Sequence, residues 1–172
     1  MPLKVCCMRF RWSRLSKLEL GRLAEQVVRM QFAMHDYAVF VPEVEEAGVD
    51  FLARSRASEY FEVQVKSVRG NGYVFLPKDR SPLADSRLVA IGHFVDDAPP
   101  QLFLVPSVVW KTPSDLFVSR DYEGKKSKPE WGVSLNERTI PHMQAFRLRD
   151  WFDRREDFQQ DNVAGGPRPA RG

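Results

Sequence analysis

Two changes of pattern along the chain predict a mixed α/β domain, with helices packed on a central mixed sheet. Apolar residues first recur at helical spacing from Ser16 to about His35, and the period then drops to two over several short β-prone segments. Between Leu88 and Val105 the segments become apolar at nearly every residue, as strands covered on both faces do. With 172 residues, 43% hydrophobic and 28% charged, the chain has the size of one domain and an ordinary globular composition.

Leu20, Leu23, Ala24, Val27, Gln31 and Met34 fall on one face of the helix expected over 16–35. Glu25 lies on the flank of that face, on the side of Gly21, Val28 and Phe32. Tyr37–Val41 reads as a short strand stopped by Pro42, and Val49–Ala53 as a second, entered from Gly48. Tyr60–Val68 is the third, with Phe61, Val63 and Val65 on one face and Glu62, Gln64 and Lys66 on the other. Gly70-Asn71-Gly72 predicts a turn that returns Tyr73–Leu76 as a hairpin partner. Leu88–Val95 and Leu102–Val105 follow around a turn at Asp96–Pro100. Ser107 is expected to cap a short helix through Trp110, Trp131–Leu135 to form a last strand, and residues 141–158 to be helical. The order is a helix, four strands in a meander-like run, a further strand, then helices. Residues 1–15 are expected to be an irregular basic segment, 16–160 the domain, and 161–172 a disordered tail rich in glycine and proline.

Several function classes drop out. No apolar run approaches the roughly 18 residues of a membrane helix, and Arg9, Arg11, Arg14 and Lys17 leave no apolar stretch for a secretory signal. The only cysteines, Cys6 and Cys7, are adjacent and cannot build a disulfide framework, so a reducing, cytoplasmic compartment is expected. The net charge of +3 permits a polyanionic partner without demanding one.

The third strand carries the chemistry. Glu62, Gln64 and Lys66 share a face, about 7 Å apart from one to the next. Taken alone, that face is what a strand shows to water. Asp50 changes the reading, because it heads the preceding strand, and neighbouring strands about 5 Å apart can bring its carboxylate beside Gln64. Magnesium takes oxygen ligands in octahedral geometry and keeps several waters. Asp50, the Gln64 side-chain oxygen and the Val65 carbonyl are candidates to hold it, and Lys66 to orient a metal-activated water or neutralise charge growing on a phosphate.

The segments Gly21-Arg22-Leu23-Ala24-Glu25, Val49-Asp50-Phe51-Leu52 and Phe61-Glu62-Val63-Gln64-Val65-Lys66-Ser67 together resemble the PD-(D/E)xK phosphodiesterase superfamily. That superfamily includes restriction enzymes, junction resolvases and some homing endonucleases. The wording around Gln64 is similar to a branch in which glutamine replaces the last acid. The stretch from Leu88 through Leu102–Ser107 to Glu130-Trp131-Gly132 resembles an uncharacterised bacterial domain family of that fold. The resemblance implies a restriction endonuclease-like fold and a DNA phosphodiesterase using Mg²⁺ or Mn²⁺. Asp50 and Gln64 would be metal ligands, with Val65 beside them, Lys66 the catalytic lysine and Glu25 an auxiliary acid that can reach the metal. Val49 stands where the superfamily name has proline, a harmless variation. Gln64 removes a negative charge that Glu62, on the same face, can restore directly or through water; otherwise the site is degenerate and the fold only binds DNA or a protein partner. An enzyme of the same fold acting on RNA is a further alternative. Enzymes of this fold often work as dimers to cut both strands, so a homodimer is compatible with it.

Other residues read more simply. His35, His93 and His142 have no metal spacing, and His93 belongs to an apolar strand as a hydrogen-bonded core residue. Glu43, Glu45 and Glu46 are expected to form a solvated acidic turn, from which one could reach a second metal, while Lys78, Arg80, Arg87 and the lysines at 125, 126 and 128 are scattered solvated charges unless the fold gathers them. Ser107 lacks a glycine elbow, and no glycine-rich phosphate loop is present.

Overall fold

Ser16 starts the first helix, α1 (Lys17–Met34), through a reciprocal cap. Its hydroxyl accepts from the Glu19 N–H at 3.2 Å, and the Glu19 carboxylate accepts from the Ser16 N–H at 2.7 Å. The structure, a computed structural model, describes residues 9–44, 48–124 and 126–155. Residues 1–8 with Cys6 and Cys7, Glu45, Glu46, Lys125, and everything from 156 onward, including the expected tail, lie outside the described residues.

The buried row of α1 is Leu20, Ala24, Val28 and Phe32, one turn of roughly four residues after another. This corrects the expected face: Leu20 and Ala24 belong to it, but Met34 is 69% exposed. Apolar residues occur on more than one side of α1, so periodicity leaves its rotation open. Phe32 decides it, packing edge-on against Tyr37, Phe51 and Phe152.

Eight strands follow: β1 (Ala38–Phe40), β2 (Phe51–Arg54), β3 (Tyr60–Arg69), β4 (Gly72–Pro77), β5 (Arg87–Phe94), β6 (Gln101–Pro106), β7 (Phe117–Arg120) and β8 (Glu130–Leu135). The central sheet runs β1-β2-β3-β5-β6 and is mixed, with β3 and β5 parallel and the other pairs antiparallel. The hairpin expected between β3 and β4, and with it the meander, does not form. β3 pairs instead with β2 from Tyr60 to Val63 and with β5, in parallel, from Glu62 to Arg69. The chain bends out at Gly70 and Asn71, and β4 pairs with β8 in a second sheet, β4-β8-β7. The four-residue β7 has no counterpart among the sequence expectations.

The mixed, helical segment expected over 141–158 holds helices α2 (Ile140–Met143) and α3 (residues 148–155) with a 3-10 turn at Gln144–Phe146 between them. Ser107 does not cap the 3-10 turn Ser107–Lys111. Pro106 takes the cap position, and the buried Ser107 hydroxyl bridges the N–H and C=O of Ala84 at 3.0 and 2.9 Å. Within the expected irregular segment, Trp12–Arg14 form a 3-10 turn. The Trp12 ring packs edge-on against Phe94, and its N–H donates to the Ala98 carbonyl at 2.9 Å.

Two cores lie on opposite faces of the central sheet. One gathers Leu20, Val28 and Phe32 of α1 with Phe61, Val63 and Val65 of β3 and Leu148 and Phe152 of α3. The other joins Val68, Val89, Ile91 and Val105 to Val74, Leu76, Val133 and Leu135 of the second sheet and to Trp110. Among the described residues no helix is long and apolar enough to cross a membrane.

Candidate functional site

The second sheet covers the central sheet at the Val68 end of β3 but stops short of Gln64 and Lys66. A cavity of about 420 Å³ opens there, lined by Gly48, Asp50, Gln64, Lys66, Phe75, Pro77 and Arg80. The strand alternation read from the sequence holds: Phe61, Val63 and Val65 join the α1 core, leaving Gln64 and Lys66 to the other face.

Asp50 stands one residue before β2. Its N–H donates to the Val63 carbonyl at 2.9 Å, and its Oδ2 accepts from the Val65 N–H at 2.6 Å. The N–H and C=O of one strand residue leave by the same edge. The Val65 carbonyl therefore also projects beside Asp50, where β2 has not yet begun. Gln64 is only 5% exposed, and its Oε1 accepts from the Ser81 hydroxyl at 3.3 Å. Gly48 makes room for the Gln64 amide: its φ is +69°, and a Cβ there would sit 2.5 Å from Gln64 Nε2.

The loop after β4 supplies the remaining wall. Trp131 Nε1 donates to the Ser81 carbonyl at 3.2 Å, the Arg80 N–H donates to the Pro77 carbonyl at 3.1 Å, and Ser107 clamps Ala84. These anchors deliver Arg80 and Ser81 to the cavity. Lys66 and Arg80 have no side-chain hydrogen bond or ion pair among the described residues, so two cations face the space beside one carboxylate.

The structure thus gathers Asp50, Gln64 and Lys66, and does not gather Glu25 or Glu62. Glu25 belongs to the helix on the opposite face, 4.0 Å from Arg29. Glu62 lies 3.5 Å from the Nε of Arg87, its partner in register on β5, and neither lines the cavity. Glu62 therefore does not stand in directly for the charge that Gln64 lacks. Of the scattered basic residues that are described, only Arg80 lines the cavity; Lys78 is bound to Ser119 and Asp121, and Lys128 to Asp79. Phe75, Pro77 and Arg80 were not legible as cavity residues, because their place follows from the second sheet; the Pro77-x-x-Arg80 turn after an apolar strand is the one local signal. His93 is buried, with its Nε2 2.9 Å from the Gly70 carbonyl, as a core histidine should be.

Among the described residues no three His, Cys, Asp or Glu side chains are grouped to hold a metal ion. The cavity offers two oxygen donors of different kinds, the Asp50 carboxylate and the Gln64 amide oxygen, which keeps a second acceptor position, and strand geometry sets the Val65 carbonyl on the Asp50 side as a third. All are hard donors, and the set fits an ion that retains most of its water and takes a substrate phosphate.

The mixed central sheet, with α1 on one face and the Asp50, Gln64 and Lys66 side chains at the β2–β3 corner, is a fold that this chain shares with solved structures. The bacterial homing endonuclease I-Ssp6803I is similar over 86% of this chain and 98% of its own, at 16% identity and a TM-score of 0.52. Hjc, a Holliday junction resolvase from Archaeoglobus fulgidus, aligns over 77% of this chain and 95% of its own, at 10% identity and a TM-score of 0.47. No protein-family model matches the sequence, and no curated protein matches it significantly. The likeness is one of fold.

Proposed function

We propose that the protein is a divalent-metal-dependent phosphodiesterase acting on nucleic acid, DNA in the first instance, with Asp50, Gln64, Val65 and Lys66 as its working groups. The observation that carries this reading is the convergence of Asp50, Gln64 and Lys66 on one cavity that also holds Arg80. Asp50, the Gln64 oxygen and the Val65 carbonyl would hold Mg²⁺ or Mn²⁺, which when bound polarises the phosphate and acidifies a water. The Val65 N–H keeps the Asp50 carboxylate aimed, and Ser81 does the same for Gln64. Lys66 places a compact positive charge where negative charge grows on the phosphate, and Arg80 pairs with a neighbouring phosphate oxygen.

The test is cleavage of duplex, single-stranded and branched DNA with Mn²⁺ by the wild type, Asp50→Ala and Lys66→Ala. Each variant should lose roughly 10²–10³-fold in rate. Cleavage at the same rate by all three would remove the assignment.

A second reading is a nuclease fold that binds without cutting. It is favoured by the single carboxylate that lines the cavity among the described residues and by the bond from Ser81 to the Gln64 oxygen. Calorimetry separates the two: a catalytic site shows Mn²⁺ binding that Asp50→Ala abolishes, and a binding-only site shows none.

A further inference from the structure

We infer that Phe75 is a stacking platform for an unpaired nucleobase, and hence that the cavity takes a strand with at least one unpaired nucleotide rather than an intact duplex. The inference rests on the nucleic-acid reading above and narrows its substrate class.

Tyr73 and Phe75 are neighbours on the outward face of β4, yet they are treated differently. The Tyr73 ring lies across Gly132, where any Cβ would collide with its hydroxyl. That hydroxyl donates to Glu130 at 2.9 Å, and the Arg120 guanidinium covers the ring at 4.7 Å. Tyr73 is fully engaged in holding the second sheet together. Phe75, two residues on, has no stacking ring or cation among the described residues and is 53% exposed. It forms the cavity wall with Pro77, beside Lys66 and Arg80.

A lone exposed phenylalanine is ordinary on a protein surface. Sharing a cavity with Lys66 and Arg80, whose side chains make no hydrogen bond or ion pair among the described residues, and next to the candidate phosphate site, it has the makeup of a single-strand groove, where charge follows the backbone and an aromatic face receives a base of any sequence. The space agrees, since about 420 Å³ lies in the range of sites for small organic molecules and exceeds the needs of a hydrated ion. A paired base cannot reach such a face without unstacking, and that cost is least for a base already unpaired.

The test is fluorescence anisotropy without divalent ions, using labelled oligothymidylate, oligouridylate and a blunt DNA duplex as probes. Phe75→Ala should weaken binding of the single strands about 5- to 100-fold and leave the duplex unchanged, and Phe75→Trp should restore it. A 2-aminopurine in the strand should be quenched by the wild type and not by Phe75→Ala. Tighter binding of the uridylate would make RNA the strand and keep the platform. Equal losses on strand and duplex, no loss on either, or a wild type that holds no single strand would overturn the inference. Because no metal is present, this result is independent of whether Asp50→Ala stops cleavage.

Discussion

The two faces of the central sheet are closed in different ways. On the α1 face, Phe32 meets Tyr37, Phe51, Trp151 and Phe152, and the apolar contact continues over Phe61, Val63 and Val65 of β3 and Leu88, Ala90 and Phe94 of β5. On the other face the second sheet seals the Val68 end and leaves the Gln64–Lys66 end open. One face is built for stability and the other is interrupted for chemistry, on the same ten residues of β3. Side chains that alternate at period two allow this, because each face of a strand can be assigned separately.

Substitutions on the two faces should therefore fail in different ways. Phe32→Ala empties a fully buried aromatic site and should cost about 3–5 kcal/mol, measured by denaturant unfolding. Lys66→Ala, the variant of the cleavage test, should leave that unfolding curve nearly unchanged; a large loss of stability there would erase the contrast. Gly48→Ala sits at the border. Its Cβ would press on Gln64 Nε2 at a φ of +69°, so it should cost about 1–3 kcal/mol and also lower metal affinity by calorimetry. A variant as stable as the wild type would show that the Gln64 amide is not held by that close approach.

The smallest effect belongs to the helix cap. Ser16→Ala should cost about 1 kcal/mol in denaturant melts at neutral pH. The Ser16 N–H and hydroxyl hydrogen bonds hold the Glu19 carboxyl below its ordinary value of 4.5. The folded state thus binds this proton more weakly than the unfolded chain. The contribution is present above pH 4.5 and is lost as pH falls through the folded value. Stability differences between wild type and Glu19→Gln, followed by thermal melts down the acid range, should shrink accordingly.

Much of the site could be read along the chain because it depends on local rules. Alternation placed Gln64 and Lys66 on one face, and the position of Asp50 at the head of the second strand put its carboxylate within reach of Gln64; the structure adds the bond from the Val65 N–H that aims it. The sequence assigned Glu25 and Glu62 to the same constellation, but a partner two strands or one helix away is a matter of packing. Arg87, opposite Glu62 in the parallel register of β3 and β5, draws that carboxylate away from the cavity.

By itself the sequence determined the first helix, the alternating third strand and the fully buried β5, since periodicity and apolar runs act among neighbours in the chain. Tertiary structure alone decided which side of α1 is buried, that β4 leaves β3 for β8, and that Phe75 and Arg80 come to face Lys66. These depend on which strand edges remain unpaired and which rings find space, and such competition is settled only when distant segments meet.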